Sequence, residues 1–447
     1  MNPHIFRQYD IRGVAESDLS DPVIDRIGRA LSGYYRDRGI KEVVIGRDVR
    51  LSSPRISQVL TGAFLKSGLD VIDIGVVPTP LLYFSLHHYD HSAGVMITGS
   101  HNPKEFNGLK ICCHKTTIYG DEIQEIRRRA EAGSFPGGSG TRHELDPVPD
   151  YIDQVLDRVE IESTPPLILD PGNGTVGPVI DRLLSRLNLR YQIINLKPDG
   201  NFPSHLPDPT VLEYIEPLQE MVKADGGIGI GFDGDGDRIG VVREDGEIVW
   251  GDHLLAIYSR PILKKYPGGK IIFEVKCSRG LIEYIESLGG VPIMFKTGHS
   301  LIKAKMREEG ALLAGEMSGH MFFADNYYGY DDAIFAALRL LEIISQENRP
   351  LQAIDNEIPT YYSTPEIRVD CPDEKKFEIV DRIRREFEKR YRVITIDGVR
   401  VEYPDGWGLI RPSNTQPVLV LRFEARTEER LREIKSEFLN YLRRFLS

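Results

Sequence analysis

Long apolar runs are missing from this chain. None approaches the about 18 residues that a membrane-spanning helix needs, so no membrane partner is expected. The amino terminus, MNPHIFRQYDIRG, has no hydrophobic core of the secretory kind. A basic excess is missing too: the formal net charge is −11, which argues against a general role on nucleic acid or on a membrane surface. Local basic clusters can still receive a small anionic substrate. Cysteine is scarce. Cys112, Cys113, Cys277 and Cys371 lack metal-type spacing, so reduced thiols in a cytoplasmic protein are the expectation. No G-x-x-x-x-G-K-[ST] loop, kinase signature set or G-x-S-x-G elbow occurs, so neither an ATP donor nor a hydrolase triad is indicated.

What is present begins with residues 227–240, GIGIGFDGDGDRIG. An apolar, glycine-spaced run stops at three carboxylates on alternate positions, Asp233, Asp235 and Asp237, followed by Arg238. Acids this close repel unless a cation sits among them, and hard oxygen ligands suit Mg²⁺, Mn²⁺ or Ca²⁺. A metal site at a strand end is the expectation. Two other patterns overlap it. Glu244 completes a calcium-loop count, but Arg238 stands where that loop needs glycine. Gly229, Gly231 and Gly234 spell G-x-G-x-x-G, but the acids would repel a pyrophosphate.

The chain is too long for one core. One plan repeats three times. A short apolar strand ends in a polar turn at VVIGRDVR, LILDPGNG and IIFEVKCSRG. After a helix come VIDIGVVPTP, YQIINLKPDG and VPIMFKTGHS. After another come GVMITGSHNP, GIGIGFDGDGDR and ALLAGEMSGH. Strands alternating with helices predict mixed, mostly parallel sheets, with ligands at the carboxyl ends of the strands. The remainder reads as a separate α+β domain. The expected division is three similar α/β domains, 1–146, 147–249 and 250–359, plus a C-terminal α+β domain, 360–447.

Other loops carry chemistry. Ser100 in ITGSHNP reads as a turn or cap residue when taken alone, and as a phosphate-accepting hydroxyl beside a metal. RPSNTQP offers Arg411 to fork onto phosphate oxygens, with Ser413, Asn414 and Thr415 as neutral donors. GEMSGH offers Glu316, Ser318 and His320, a set suited to sugar hydroxyls or to a capping box. Tyr9, Arg12, Lys110, Arg238, Lys276 and His299 are polar groups on candidate loops.

With YDIRG (9–13), TGSHNP (98–103), DGDGDR (233–238), GEMSGH (315–320) and RPSNT (411–415) in order, the chain resembles the α-D-phosphohexomutase superfamily, and within it the bacterial phosphomannomutase/phosphoglucomutase group. The resemblance covers essentially the whole chain. It implies four domains around a central cleft and a phosphate carried on Ser100. It also implies one Mg²⁺ held by Asp233, Asp235, Asp237 and a phosphate oxygen on Ser100. Arg411, Ser413, Asn414 and Thr415 would hold the non-reacting phosphate, and Glu316 and Ser318 the sugar hydroxyls. Tyr9, Arg12, His101, Lys110, Arg238, Lys276, His299 and His320 match polar cleft positions, with Ser100, His101, Arg12, Lys110, Arg238 and His299 nearest the chemistry. The implied reaction interconverts hexose 1-phosphate and hexose 6-phosphate through a hexose 1,6-bisphosphate, which also serves as activator. Met317 favours the dual mannose/glucose type, since glucosamine mutases tend to carry glutamine there. A phosphoglucosamine mutase, a Ser100-dependent sugar phosphatase and a silent sugar-phosphate binder are the alternatives. A monomer or weak dimer is expected.

Overall fold

The computed structural model describes residues 1–413 and 417–446. Asn414 and Thr415 lie outside the described residues. The chain packs into two units, one made of residues 1–254 and 318–355, the other of residues 255–317 and 356–446.

The repeat read from the sequence is a repeat in space. In the first unit, the strand Glu42–Arg47 pairs in parallel with Asp70–Val76 on one side and with Ala93–Ile97 on the other. Leu167–Asp170 likewise lies between Tyr191–Ile193 and Ile228–Phe232. In the second unit, Lys270–Glu274 lies between Val291–Phe295 and Leu313–Gly315. Each sheet thus runs second, first, third. The chain reverses its winding between the first and third strands, and such a reversal opens a crevice at their carboxyl ends. The loops that follow those strands carry most of the candidate site residues.

Antiparallel strands complete the first two sheets, and the sequence reading had missed them. Phe106–Cys113 pairs with Ala93–Ile97, and Ile11–Val14 pairs with Phe106–Cys113. Ile239–Val242 pairs with Ile228–Phe232. Lys110 and Arg12 therefore lie within strands, not on loops. The division expected after residue 146 lies just before the helix Val148–Leu156, where Asp146 Oδ1 accepts the Val148 N–H at 3.0 Å.

The glycines of GIGIG allow close helix packing. A Cβ on Gly229 would meet Leu218 Cγ at 2.8 Å and Val222 Cγ2 at 3.0 Å, so the helix Leu212–Asp225 lies directly on the strand. Ile168, Ile215, Leu218, Val222 and Val242 form the core there. The carboxyl-terminal part of the second unit is an antiparallel sheet built on Val399–Tyr403, Gly406–Pro412 and Val418–Ala425. Helices Asp373–Phe387 and Glu428–Leu446 cover it, with Phe387 and Phe438 stacked 4.4 Å apart. All four cysteines are buried and hold no disulfide. No helix among the described residues is long and apolar enough to cross a membrane.

Candidate active site

In the first unit, Ser100 follows the strand Ala93–Ile97 and adopts a left-handed backbone with φ of 49°. That conformation costs a residue with a Cβ about 1–3 kcal/mol. Its Oγ donates to Asp233 Oδ2 at 2.7 Å and lies 3.1 Å from His101 Nδ1. The hydroxyl from the first sheet and the acid triplet from the second therefore meet.

The loop around Ser100 is held by two residues that the sequence reading had passed over within GRDVR. Asp48 Oδ2 accepts the Gly99 N–H at 3.0 Å. Arg50, 1% exposed, donates to the carbonyls of Ser100 (2.8 Å), Asn102 (2.6 Å), Pro103 (2.6 Å) and Phe106 (2.9 Å). Its Nε donates to Asp48 Oδ2 at 3.1 Å. Their alternation, Asp-x-Arg at a strand end, is the only signal that could have found them.

Asp233, Asp235 and Asp237 are fully buried, and one oxygen from each lies within 4.8 Å of the others. Asp233 Oδ1 accepts the N–H groups of Asp237 (3.1 Å) and Arg238 (3.2 Å), which curls the loop. Gly236, with φ of 74°, permits that turn. Thr79, also missed from sequence, donates its hydroxyl to Asp235 Oδ2 at 2.6 Å and its N–H to the Asp235 carbonyl at 2.7 Å. It opens the helix Thr79–His88, so the positive end of the helix dipole meets the acids. Lys110 Nζ donates to Asp235 Oδ2 at 2.7 Å and also to Asp237 Oδ2.

Charge in this cluster is unbalanced. Burial, then Asp237 and Asp235, push the Asp233 carboxyl well above the usual carboxylate range. Burial also raises Asp235, but Lys110 and the hydroxyls of Thr79 and Ser100 outweigh it and hold that group low. Burial opposes the Lys110 ammonium, yet the surrounding carboxylates keep it protonated. Asp235 Oδ1 and Asp237 Oδ1 are buried and accept no hydrogen bond among the described residues. An all-oxygen donor set with orphaned carboxylate oxygens fits a hard divalent cation such as Mg²⁺.

Cations and histidines flank this cluster. Arg238 Nε donates to His320 Nε2 at 3.0 Å, and His320 Nδ1 lies 3.1 Å from Asp331 Oδ2 and 3.7 Å from Asp237 Oδ1. Burial, then Arg238 and Arg12, push the His101 imidazole well below its usual range. Arg12 pairs with Asp10 at 2.6 Å. Tyr9 is buried, and Ser318 also belongs to this unit.

The second unit gathers the other predicted residues around carboxylates, of which Glu274 and Glu316 are buried. Glu274 ends the strand Lys270–Glu274 and accepts the Thr297 hydroxyl at 2.6 Å; its Oε1 lies 3.4 Å from Lys276 Nζ. Lys276 also donates to Glu366 at 3.1 Å. That ammonium lowers the Glu366 carboxyl to about 2 against the effect of burial. Glu316 accepts the Gly298 N–H at 2.6 Å, just before His299 opens the helix His299–Glu309. Asp397 accepts from Arg411 Nε at 2.9 Å and from the Thr297 N–H at 3.1 Å, tying the predicted phosphate arginine to the loop before His299. Lys376 donates to the Ser413 carbonyl at 2.5 Å. Glu274, Asp397 and Lys376 had not been singled out from sequence, because each is one charged residue among many and its partners lie far along the chain.

Residues 3–137, 149–246 and 250–362 match the phosphoglucomutase/phosphomannomutase alpha/beta/alpha domains I, II and III, and residues 366–440 match the C-terminal domain of the same family. A phosphomannomutase/phosphoglucomutase of Pseudomonas aeruginosa is 44% identical over 98% of this chain and 95% of its own. A phosphoglucomutase of Neisseria gonorrhoeae is 41% identical over 97% and 95%. The crystal structure of a phosphoglucomutase/phosphomannomutase family protein from Burkholderia thailandensis superposes with a TM-score of 0.93 at 41% identity, covering 99% of this chain and 97% of that one.

Proposed function

The chain belongs to the phosphoglucomutase/phosphomannomutase family, and from that premise we propose that it interconverts hexose 1-phosphates and hexose 6-phosphates, with mannose and glucose as its sugars. One observation carries the mechanism: Ser100 Oγ lies 2.7 Å from Asp233 Oδ2 within a buried acid triplet. The division into four domains at 146, 249 and 359 belongs to the same reading.

In this account the working enzyme carries its phosphate on Ser100. The sugar O6 attacks that phosphorus, the bond to Ser100 Oγ breaks, the O6 proton leaves to a base, and Ser100 Oγ takes up a proton. The product of this half is a hexose 1,6-bisphosphate. After it turns around, Ser100 Oγ gives up its proton and attacks the phosphorus on O1, the bond to O1 breaks, O1 takes up a proton, and hexose 6-phosphate departs. His101 Nδ1 lies 3.1 Å from Ser100 Oγ, which supports a role in taking its proton. Lys110 and Arg238 stabilise charge on the transferring group, in which positioning and electrostatics do most of the work. Asp233, Asp235 and Asp237 would hold Mg²⁺, which when bound adds positive charge beside the phosphoryl oxygens. In this reading Arg411 and Ser413 hold the non-reacting phosphate and Glu316 and Ser318 the sugar hydroxyls; Tyr9, Arg12 and His320 are further polar groups of the first unit, and Lys276 and His299 of the second.

The test is turnover of mannose 1-phosphate, glucose 1-phosphate and glucosamine 6-phosphate with Mg²⁺, with and without glucose 1,6-bisphosphate. Formation of 6-phosphates from the first two, stimulated by the bisphosphate, is expected. Preference for the glucosamine compound would make it a glucosamine mutase. Release of inorganic phosphate with no bisphosphate requirement would make it a phosphatase.

A further inference from the structure

Arg50 has an unusual position for an arginine. It lies at a strand end, where charged residues ordinarily reach solvent, yet it is 1% exposed and has its guanidinium turned inward. Burial lowers its affinity for the proton, and the Asp48 carboxylate offsets this. A buried cation of this kind is destabilising unless its hydrogen bonds are met. Here they are met almost wholly by main-chain carbonyls of one loop, residues 100–106.

The surroundings are shaped to this guanidinium. A Cβ on Gly99 would lie 2.4 Å from Arg50 Nε, so the residue before Ser100 must be glycine for the arginine to fit. Asp48 Oδ1 accepts from the Ser53 hydroxyl at 2.5 Å, and Asn107 Nδ2 donates to Ser53 Oγ at 2.9 Å, which fixes the carboxylate from behind. On the other side a loop of the second sheet closes over the arginine. A Cβ on Gly200 would lie 2.4 Å from the Val49 carbonyl oxygen, and the Phe202 ring centroid is 5.3 Å from Arg50 Cζ. The same loop returns toward the acid triplet. The Asp199 N–H donates to the Asn173 carbonyl at 2.9 Å, and a Cβ on Gly174 would lie 2.6 Å from the Gly234 carbonyl oxygen.

We propose that Arg50 is a positioning residue for phosphoryl transfer: it clamps the carbonyls of residues 100–106, holds Ser100 in its left-handed conformation, and ties that loop to the second-sheet segment that backs the acid triplet. The inference rests on the mutase reading for its chemistry and on the hydrogen bonds alone for its mechanics. Lysine has fewer donors, without the planar fork, and cannot serve four carbonyls. A misplacement of about 1 Å at a reacting group can lower the rate about 100-fold.

The test compares the parent protein with Arg50→Lys and Asp48→Asn, each checked for folding by circular dichroism. Amide hydrogen exchange across residues 98–107 reports the clamp. Transfer of phosphate from glucose 1,6-bisphosphate to Ser100, followed by intact mass, reports the chemistry. Faster exchange confined to 98–107 is expected, with kcat and the transfer rate lowered about 100-fold and KM changed by less than about 3-fold. Unchanged exchange in a folded variant, or a kcat within about 3-fold of the parent, overturns the proposal. If Arg50→Lys does not fold, Asp48→Asn is read by the same criteria. If neither folds, Phe202→Ala decides: its exchange across 98–107 must rise, and unchanged exchange there overturns the proposal. Faster exchange in variants of a parent that never phosphorylates Ser100 would sink the mutase reading and leave the clamp standing.

Discussion

The two units handle charge in opposite ways. Around Ser100, Lys110 bonds to two of three buried carboxylates, two of their oxygens accept no hydrogen bond among the described residues, and Asp233 is pushed toward its protonated form. Around Lys276 and Arg411, carboxylates brace each cation, Glu274 and Glu366 for the lysine and Asp397 for the arginine. The first arrangement is short of positive charge and suits a divalent metal. The second is a pair of cations held in place by carboxylates. In the proposed function, the first place serves phosphoryl chemistry and the second phosphate recognition.

The sharpest way to break this contrast is at Ser100. Ser100→Ala removes the hydroxyl but leaves the acids, and mutase turnover should fall by ~1,000-fold or more. Retained turnover would show that the acids and not the serine carry the reaction. Next in size is Asp233→Asn. It relieves repulsion in the metal-free chain, so the melting temperature without Mg²⁺ should hold or rise. Mg²⁺ should raise the melting temperature of the parent and leave that of the variant unchanged, because binding to the folded state stabilises it. A preserved Mg²⁺ shift would place the ion elsewhere.

Arg411→Lys probes the other side. The ion pair to Asp397 is kept in kind while the fork is lost. KM for hexose 1-phosphate should rise about 10–100-fold with kcat changed far less, the pattern of lost uniform binding. An equal fall in kcat would instead draw Arg411 into the transition state.

The smallest expected effect is at His205, under the acid loop. Its Nε2 faces Asp170 Oδ2 at 2.9 Å and its Nδ1 faces the Leu206 carbonyl at 2.9 Å, so both nitrogens meet acceptors. Burial lowers its proton affinity, but Asp170 and that carbonyl outweigh it, and the net shift is upward. A raised folded value means the stabilisation is full below the ordinary histidine value of about 6.5 and fades as pH rises through the folded value. His205→Asn should therefore lose on the order of 1 kcal/mol at pH 6 and less at pH 9, measured by denaturant unfolding. A deficit that grows with pH would contradict the imidazolium.

The acid triplet was legible in the sequence because its pattern is local, and Ser100 drew notice beside it and through the resemblance. Alternate aspartates with glycines between them, and a serine after an apolar run, report their own strand ends. The threefold strand plan was legible for the same reason, since apolar runs recur with helices between them. The antiparallel strand Phe106–Cys113 was not legible. Lys110 interrupts its apolar pattern, and only the fold reveals that the lysine faces buried carboxylates. Arg50, Glu274 and Asp397 escaped because their roles depend on partners that folding brings from elsewhere: the carbonyls of residues 100–106, Thr297 and Arg411.

Intact mass of the protein before and after glucose 1,6-bisphosphate with Mg²⁺, followed by peptide mapping, tests the central claim most directly. A single addition of about 80 Da on Ser100, lost when hexose 1-phosphate is supplied in excess, is the predicted result. No addition, or one on any other residue, would contradict it.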